Sequence, residues 1–344
     1  MVILGVMLLV AWVIRAHVPS LRALFIPASV IAGFLVLLLG PQVLGEVTGT
    51  DGLFPESVVE IWRVIPGLMI NVVFGAIMIG KTLPKPTQLW RAAAPHALFG
   101  AFLSFGRFAL GGLAVLLILG PFFDVPAKAG ALLEMSFAGG YGTIAGMGQV
   151  FDDQGVGELV DVGLGLATIS MVTGVVVGSA LVRWAVRNLR ITVKRNEPLQ
   201  PEERYDVDDV HVVPADRKPA ADTGIHPTTV AFALIGTAIL LSVGILWAAR
   251  AGVSALGSDI LDKMPLFPVA VIGGFIVQWM VGRTGQAHRV DKRAVEGISS
   301  VALDVLLVCA IGTMSLATIG SNVPAMIVFT VAVSYTHLRA HETR

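Results

Sequence analysis

Apolar residues in this chain come in long blocks. They lie near 1–14, 23–44, 64–80, 92–120, 158–182, 228–249, 266–282 and 299–320, and a ninth starts at Pro324 and stays apolar to Val333. About 20 apolar residues in helical form cross a bilayer. Backbone groups in hydrocarbon must be satisfied within the segment, so these blocks predict helices. A barrel would show alternating stretches of about 10 residues, and none occur. The pattern predicts an all-α polytopic membrane protein. The first block has no basic residue before it, so it reads as a spanning helix and not a signal peptide.

The polar loops orient the spans. With the N-terminus outside, the inside loops hold Arg15 and Arg22, then Lys81, Lys85 and Arg91, then a basic run from Arg183 to Lys218, then Arg283, Arg289, Lys292 and Arg293. The outside loops hold Lys128, Arg250 and Lys263, with Arg63 counted apart at the edge of the third block. Cytoplasmic loops collect basic residues, so this orientation is the expected one. The stretch 188–227 is rich in charge and proline and reads as a solvated cytoplasmic linker. The chain thus divides into a first transmembrane half, 1–187, that linker, and a second half, 228–333.

Composition agrees. The hydrophobic fraction is 55% and charged residues are 14%, against about 25% charged in soluble domains. The net charge of +0 gives no field for nucleic acid. Cys309 is the one cysteine, so there is no disulfide framework. The histidines sit mostly at span ends, in the linker or in the tail, and no metal-protease spacing, phosphate loop or nucleophile elbow occurs. The chain is not expected to be an enzyme, and no cofactor is implied.

Two segments repeat. Pro27-Ala-Ser-Val-Ile-Ala-Gly-Phe34 matches Pro268-Val-Ala-Val-Ile-Gly-Gly-Phe275 at Pro, Val, Ile, Gly and Phe. Leu24-Phe25 and Leu266-Phe267 precede the two prolines. By the loop charges the two segments run in opposite directions. An inverted repeat with a substrate site near the midplane is typical of secondary transporters.

Residues 127–151 form a mostly uncharged, glycine-rich stretch around Ser136-Phe-Ala-Gly-Gly-Tyr-Gly-Thr-Ile-Ala-Gly-Met-Gly148. Each glycine costs a helix about 1 kcal/mol against alanine, which disfavours one long helix. The stretch reads either as a re-entrant loop lining a permeation path or as close packing of small residues. Here the chain resembles the glutamate:sodium symporter family of bacterial inner membranes. That family carries Gly-Gly-His-Gly-Thr in its first re-entrant loop; the matching residues are Gly139, Gly140, Tyr141, Gly142 and Thr143, with tyrosine in place of histidine. Ile26-Pro27 and Ala32-Gly33 match its second span. The resemblance covers about Leu4 to Val333. It implies two inverted five-helix halves, two re-entrant loops, Na⁺-coupled glutamate uptake with Na⁺ as coupling ion, and assembly as homodimers. The tyrosine leaves the solute open among anionic amino acids and carboxylates.

Ionisable residues in spans are costly and mark candidate sites. Asp304 and Ser300 are four apart on one helix face; they suit Na⁺ or a substrate amine, or Asp304 is interfacial and reaches water or Arg293. Asn71 is a path residue or a helix-to-helix hydrogen bonder. Arg107 binds a substrate carboxylate or pairs with Asp304 or Glu134. Glu134 and Asp161 flank the glycine stretch as pairing or solvated residues. Thr168, Ser170 and Thr173 line the path or bond back to their own helix. Na⁺ is expected near Gly140, Thr143 and Asp304, beside Ser136 and the glycine stretch.

The ninth block is short, and Ser334–Arg344 follows abruptly. This tail resembles a translated adaptor fragment and reads as non-native. The second half is then incomplete, ending before a second loop and a tenth span, and the chain as written is expected not to transport. The leading reading is a Na⁺-coupled symporter for glutamate or a related carboxylate. The rivals are another cation-coupled carrier or exchanger with Asp304 as proton site, and a membrane binding module that does not transport.

Overall fold

A computed structural model of the chain describes residues 1–24, 26–81, 86–188 and 225–342. Among these residues there are helices and no strands. The main helices are α1 (Val2–His17), α2 (Ala28–Leu39), α3 (Glu56–Ala76), α4 (Pro86–Ala114), α5 (Gly140–Gly146), α6 (Leu159–Asn188), α7 (Pro227–Ala255), α8 (Leu266–Arg283), α9 (Lys292–Gly312), α10 (Leu316–Ser321) and α11 (Val323–Glu342). Seven helices in the described residues are long and apolar enough to cross a membrane; Val2–His17 and Val323–Val333 are shorter apolar helices. The protein is a multi-pass membrane protein. Most of the 188–227 stretch lies outside the described residues.

Helix starts follow local chemistry. Pro27 is extended (φ −62°, ψ 148°) and α2 begins after it, since proline lacks an N–H that a first turn does not need. The His226 ring accepts from Thr228 N at the start of α7. The Asp291 carboxylate accepts from Arg293 N at 2.9 Å and caps α9. Three spans begin well before their apolar blocks, the fourth among them at Pro86. The helix of the third starts at Glu56 and that of the eighth at Lys292, because a charged first turn can sit at the interface and still be helical. Helix α11 runs past Val333 to Glu342.

Helix α9 is central and packs on α3 and α2; α2 also packs on α1, and α8 packs on α7 and α3. Hydrocarbon gives helices no hydrophobic reason to associate, so close packing of small residues carries the contacts. A Cβ on Gly33 would lie 2.7 Å from Ile311 Cβ of α9. A Cβ on Gly273 would strike Ala238 and Ser242 of α7, and one on Gly274 would strike the Gly75 carbonyl of α3. Phe54 and Trp62 stack edge to face at 5.3 Å beside α2. On the outer surface of α4, Phe99, Phe102 and Phe105 are exposed.

Candidate functional site: a broken hairpin between four helices

The glycine-rich segment is more helical than glycine content suggests. It runs as short turns through Ala127–Ala131, Leu132–Glu134 and Met135–Gly139, breaks, and continues as α5 and a further turn, Gly148–Asp153. The break is at Gly140, with φ +67° and ψ −161°, a conformation open essentially to glycine alone. Buried Leu132, Leu133, Ile144 and Phe151 hold the flanking turns in place, which offsets the propensity cost.

The segment doubles back on itself. Lys128 Nζ near its start donates to the Gln154 carbonyl near its end at 2.9 Å. The arm before the break packs on α4, where a Cβ on Gly130 would lie 3.0 Å from Gly112 Cα. Gly130 thus serves close packing, and Gly140 serves the break. The arm after the break packs on α6, α3 and α9. Gly163 makes room for Ile144, and Gly142 and Gly146 make room for Ile70 and Phe267.

Hydrogen bonds set the depth of the turn. Ser136 Oγ, buried, donates to the Gly163 carbonyl at 3.0 Å. Tyr141 Oη donates to Thr168 Oγ1 at 3.0 Å, and Thr168 in turn donates to the Leu164 carbonyl at 3.0 Å. Thr168 lies near the middle of the apolar span Leu159–Gly178 of α6. Gly139 at the turn is exposed, while Gly140, Gly142 and Thr143 are half-buried. The Thr143 side chain folds over Gly139 so closely that a Cβ there would strike it.

The ionisable candidates are distributed differently. Arg107 Nη1 donates to Glu134 Oε2 at 3.2 Å, and Ser104 Oγ donates to Glu134 Oε1 at 2.6 Å. Arg107 thus pairs with Glu134 and not Asp304, tying α4 to the hairpin; its Nε stays buried without a partner. Asn71 bonds back to the Gly67 carbonyl of its own helix at 2.7 Å, not across helices, and its Oδ1 is buried and unpartnered. Asp304 lies past the middle of a 21-residue helix, so it is not at the start of its span. Arg293 is about 16 Å away along that helix, and Asp304 makes no hydrogen bond or ion pair among the described residues. Ser300 is exposed and makes no bond to it. The hairpin thus gathers Ser136, Gly139, Gly140, Tyr141, Gly142 and Thr143 with Thr168 and, through Glu134, Arg107. It does not gather Ser300.

Two further side chains hold the turn after α9. Asp161 Oδ1 accepts from Ser315 N at 2.9 Å. Gln42 bonds the main chain at Met314 and Leu316. Glutamine in an apolar setting was the available signal for the second.

A family model described as a sodium/glutamate symporter matches residues 1–341. The chain belongs to the sodium/glutamate symporter family. Comparison with curated proteins and with solved structures finds no match.

Proposed function

We propose that the protein couples Na⁺ entry to uptake of glutamate or a related anionic amino acid or carboxylate across the bacterial inner membrane, with the hairpin re-entrant and lining the path. The observation that carries this reading is the Gly140 break beside Thr168 at mid-span. A helix break frees main-chain amides for a carboxylate and carbonyls for a small cation. Thr143 and Tyr141 add hydroxyls, and the unpartnered Asn71 Oδ1 and Arg107 Nε are polar capacity that a permeant or water would satisfy.

The inverted repeat is part of the same reading. Gly33 and Gly274 hold the same place in the two repeated segments, and each makes the close contact with the other half, at α9 and α3 respectively. The N-terminus is read as outside and the 189–224 stretch as cytoplasmic, on the strength of the basic loops.

The test is uptake of labelled glutamate into liposomes containing the full chain, with Na⁺ replaced by choline at fixed pH. Uptake should require Na⁺. The unpaired Asp304 favours one second reading, a proton-coupled carrier; uptake that follows the proton gradient and ignores Na⁺ would select it. Solute that binds but never accumulates would point to a binding module.

A further inference from the structure

We infer that Gln42 and Gln278 are a reciprocal pair of positioning residues, each gripping the main chain beyond the end of the opposite half's central helix. Gln278, buried in α8, accepts from Gly80 N through Oε1 at 2.7 Å and donates from Nε2 to the Lys81 carbonyl at 2.7 Å. Gln42, in the turn Pro41–Gly45 after α2, donates from Nε2 to the Met314 carbonyl at 2.8 Å and accepts from Leu316 N through Oε1 at 2.8 Å. A primary amide carries an acceptor and donors on one planar group. It can therefore satisfy an N–H and a C=O of one turn together.

The two grips lie at opposite ends of α9. Gly80 has φ +78°, and a Cβ there would lie 3.2 Å from Lys292 Cα, so the turn after α3 rests on the first residue of α9. Met314–Leu316 comes just after its last residue, Gly312. The donors are exchanged between halves. Helix α8, which carries Pro268–Phe275, holds the turn after α3. The turn after α2, which carries Pro27–Phe34, holds the turn after α9.

Helices α3 and α9 are also two of the three that the hairpin arm α5 rests on, with Ile70 of α3 against Gly142 and Gly146. Fixing the far ends of α3 and α9 fixes the platform under the broken turn. Asp161 adds α6, the third wall of that arm, to the same Met314–Leu316 turn through Ser315 N. Neither glutamine hydrogen-bonds the hairpin among the described residues; they act through the helices.

The functional arm of the test rests on the Na⁺-coupled reading, and the structural arm does not. Gln42 and Gln278 are each replaced by Glu and by Leu in the full chain. Amide hydrogen exchange is followed at Gly80, at Leu316 and across residues 139–146, and Na⁺-dependent glutamate uptake is measured against pH. The Leu variants should speed exchange about tenfold or more at the released amide and also across the hairpin, and raise the glutamate KM severalfold. An ionised glutamate has no donor for the carbonyl; a protonated one restores both bonds. The Glu variants should therefore match Leu at high pH and return toward wild type on acidification, after correction for intrinsic exchange. If a Leu variant does not insert, the Glu variants carry the same test. Hairpin exchange that stays at the wild-type rate while Gly80 or Leu316 is deprotected overturns the proposal, as does a Glu variant that follows Leu at every pH. Wild-type chain without uptake, but with the expected exchange pattern, would reject the transport reading and leave the positioning role standing.

Discussion

At the level of single residues, conformation and pairing sort the candidates. Gly140 sits where a side chain is strained even with open space around it. Gly140→Ala should cost the hairpin about 1–3 kcal/mol and cut uptake strongly, with helical content and gel-filtration behaviour unchanged. Unchanged uptake would remove the hairpin from the path. Tyr141→Phe loses the bond to Thr168 and should lower unfolding stability by about 1 kcal/mol. Tyr141→His restores the residue of the family resemblance and should shift the ranking of solutes that compete for uptake. Arg107→Leu strands the Glu134 carboxylate with Ser104 alone and should destabilise by about 3 kcal/mol. The double variant with Glu134→Leu should recover part of that loss in thermal unfolding, and no recovery would argue against the pair. The residue types at these positions were legible beforehand. Their partners were not, because Arg107 had several acids within reach in principle and only packing selects among them. Asp304 was misplaced for a simpler reason: Lys292 and Arg293 lie outside any apolar block, yet they open its helix.

At the level of helices, small residues decide which elements touch. Gly274→Ala would push a methyl group into the Gly75 carbonyl, so it should lower stability by about 1–3 kcal/mol through overpacking. Gly236→Ala in α7, with nothing within 4 Å, is the matched control and should leave the melting temperature nearly unchanged. Equal effects would mean the glycines act through helix propensity and not through contact. Apolar block length located most spans within a few residues. It missed the polar first turns of α3 and α9. The glycine segment forms no single long helix, as its composition implies, while the burial of Leu132, Leu133, Ile144 and Phe151 holds its short helical turns, which propensity alone does not foresee.

At the level of the molecule, the proposed orientation can be tested directly. In a Cys309→Ser background, a cysteine at exposed Asp51 should react with a membrane-impermeant maleimide in intact cells, and one at exposed Arg289 should react only after lysis. The opposite pattern would invert the topology. Hydrophobic blocks, basic loops and the Gly139–Thr143 stretch sufficed for a multi-pass helical carrier of the sodium/glutamate symporter family, because the bilayer restricts backbone structure to few forms and each leaves a long-period mark on composition. Contacts between residues far apart in the chain leave no such mark. That Gln42 reaches Met314 and Leu316, that Gln278 reaches Gly80 and Lys81, and that Tyr141 meets Thr168 depend on how helices cross. Those crossings are set by shape at Gly33, Gly163 and Gly274, and so they emerge only when the chain is packed.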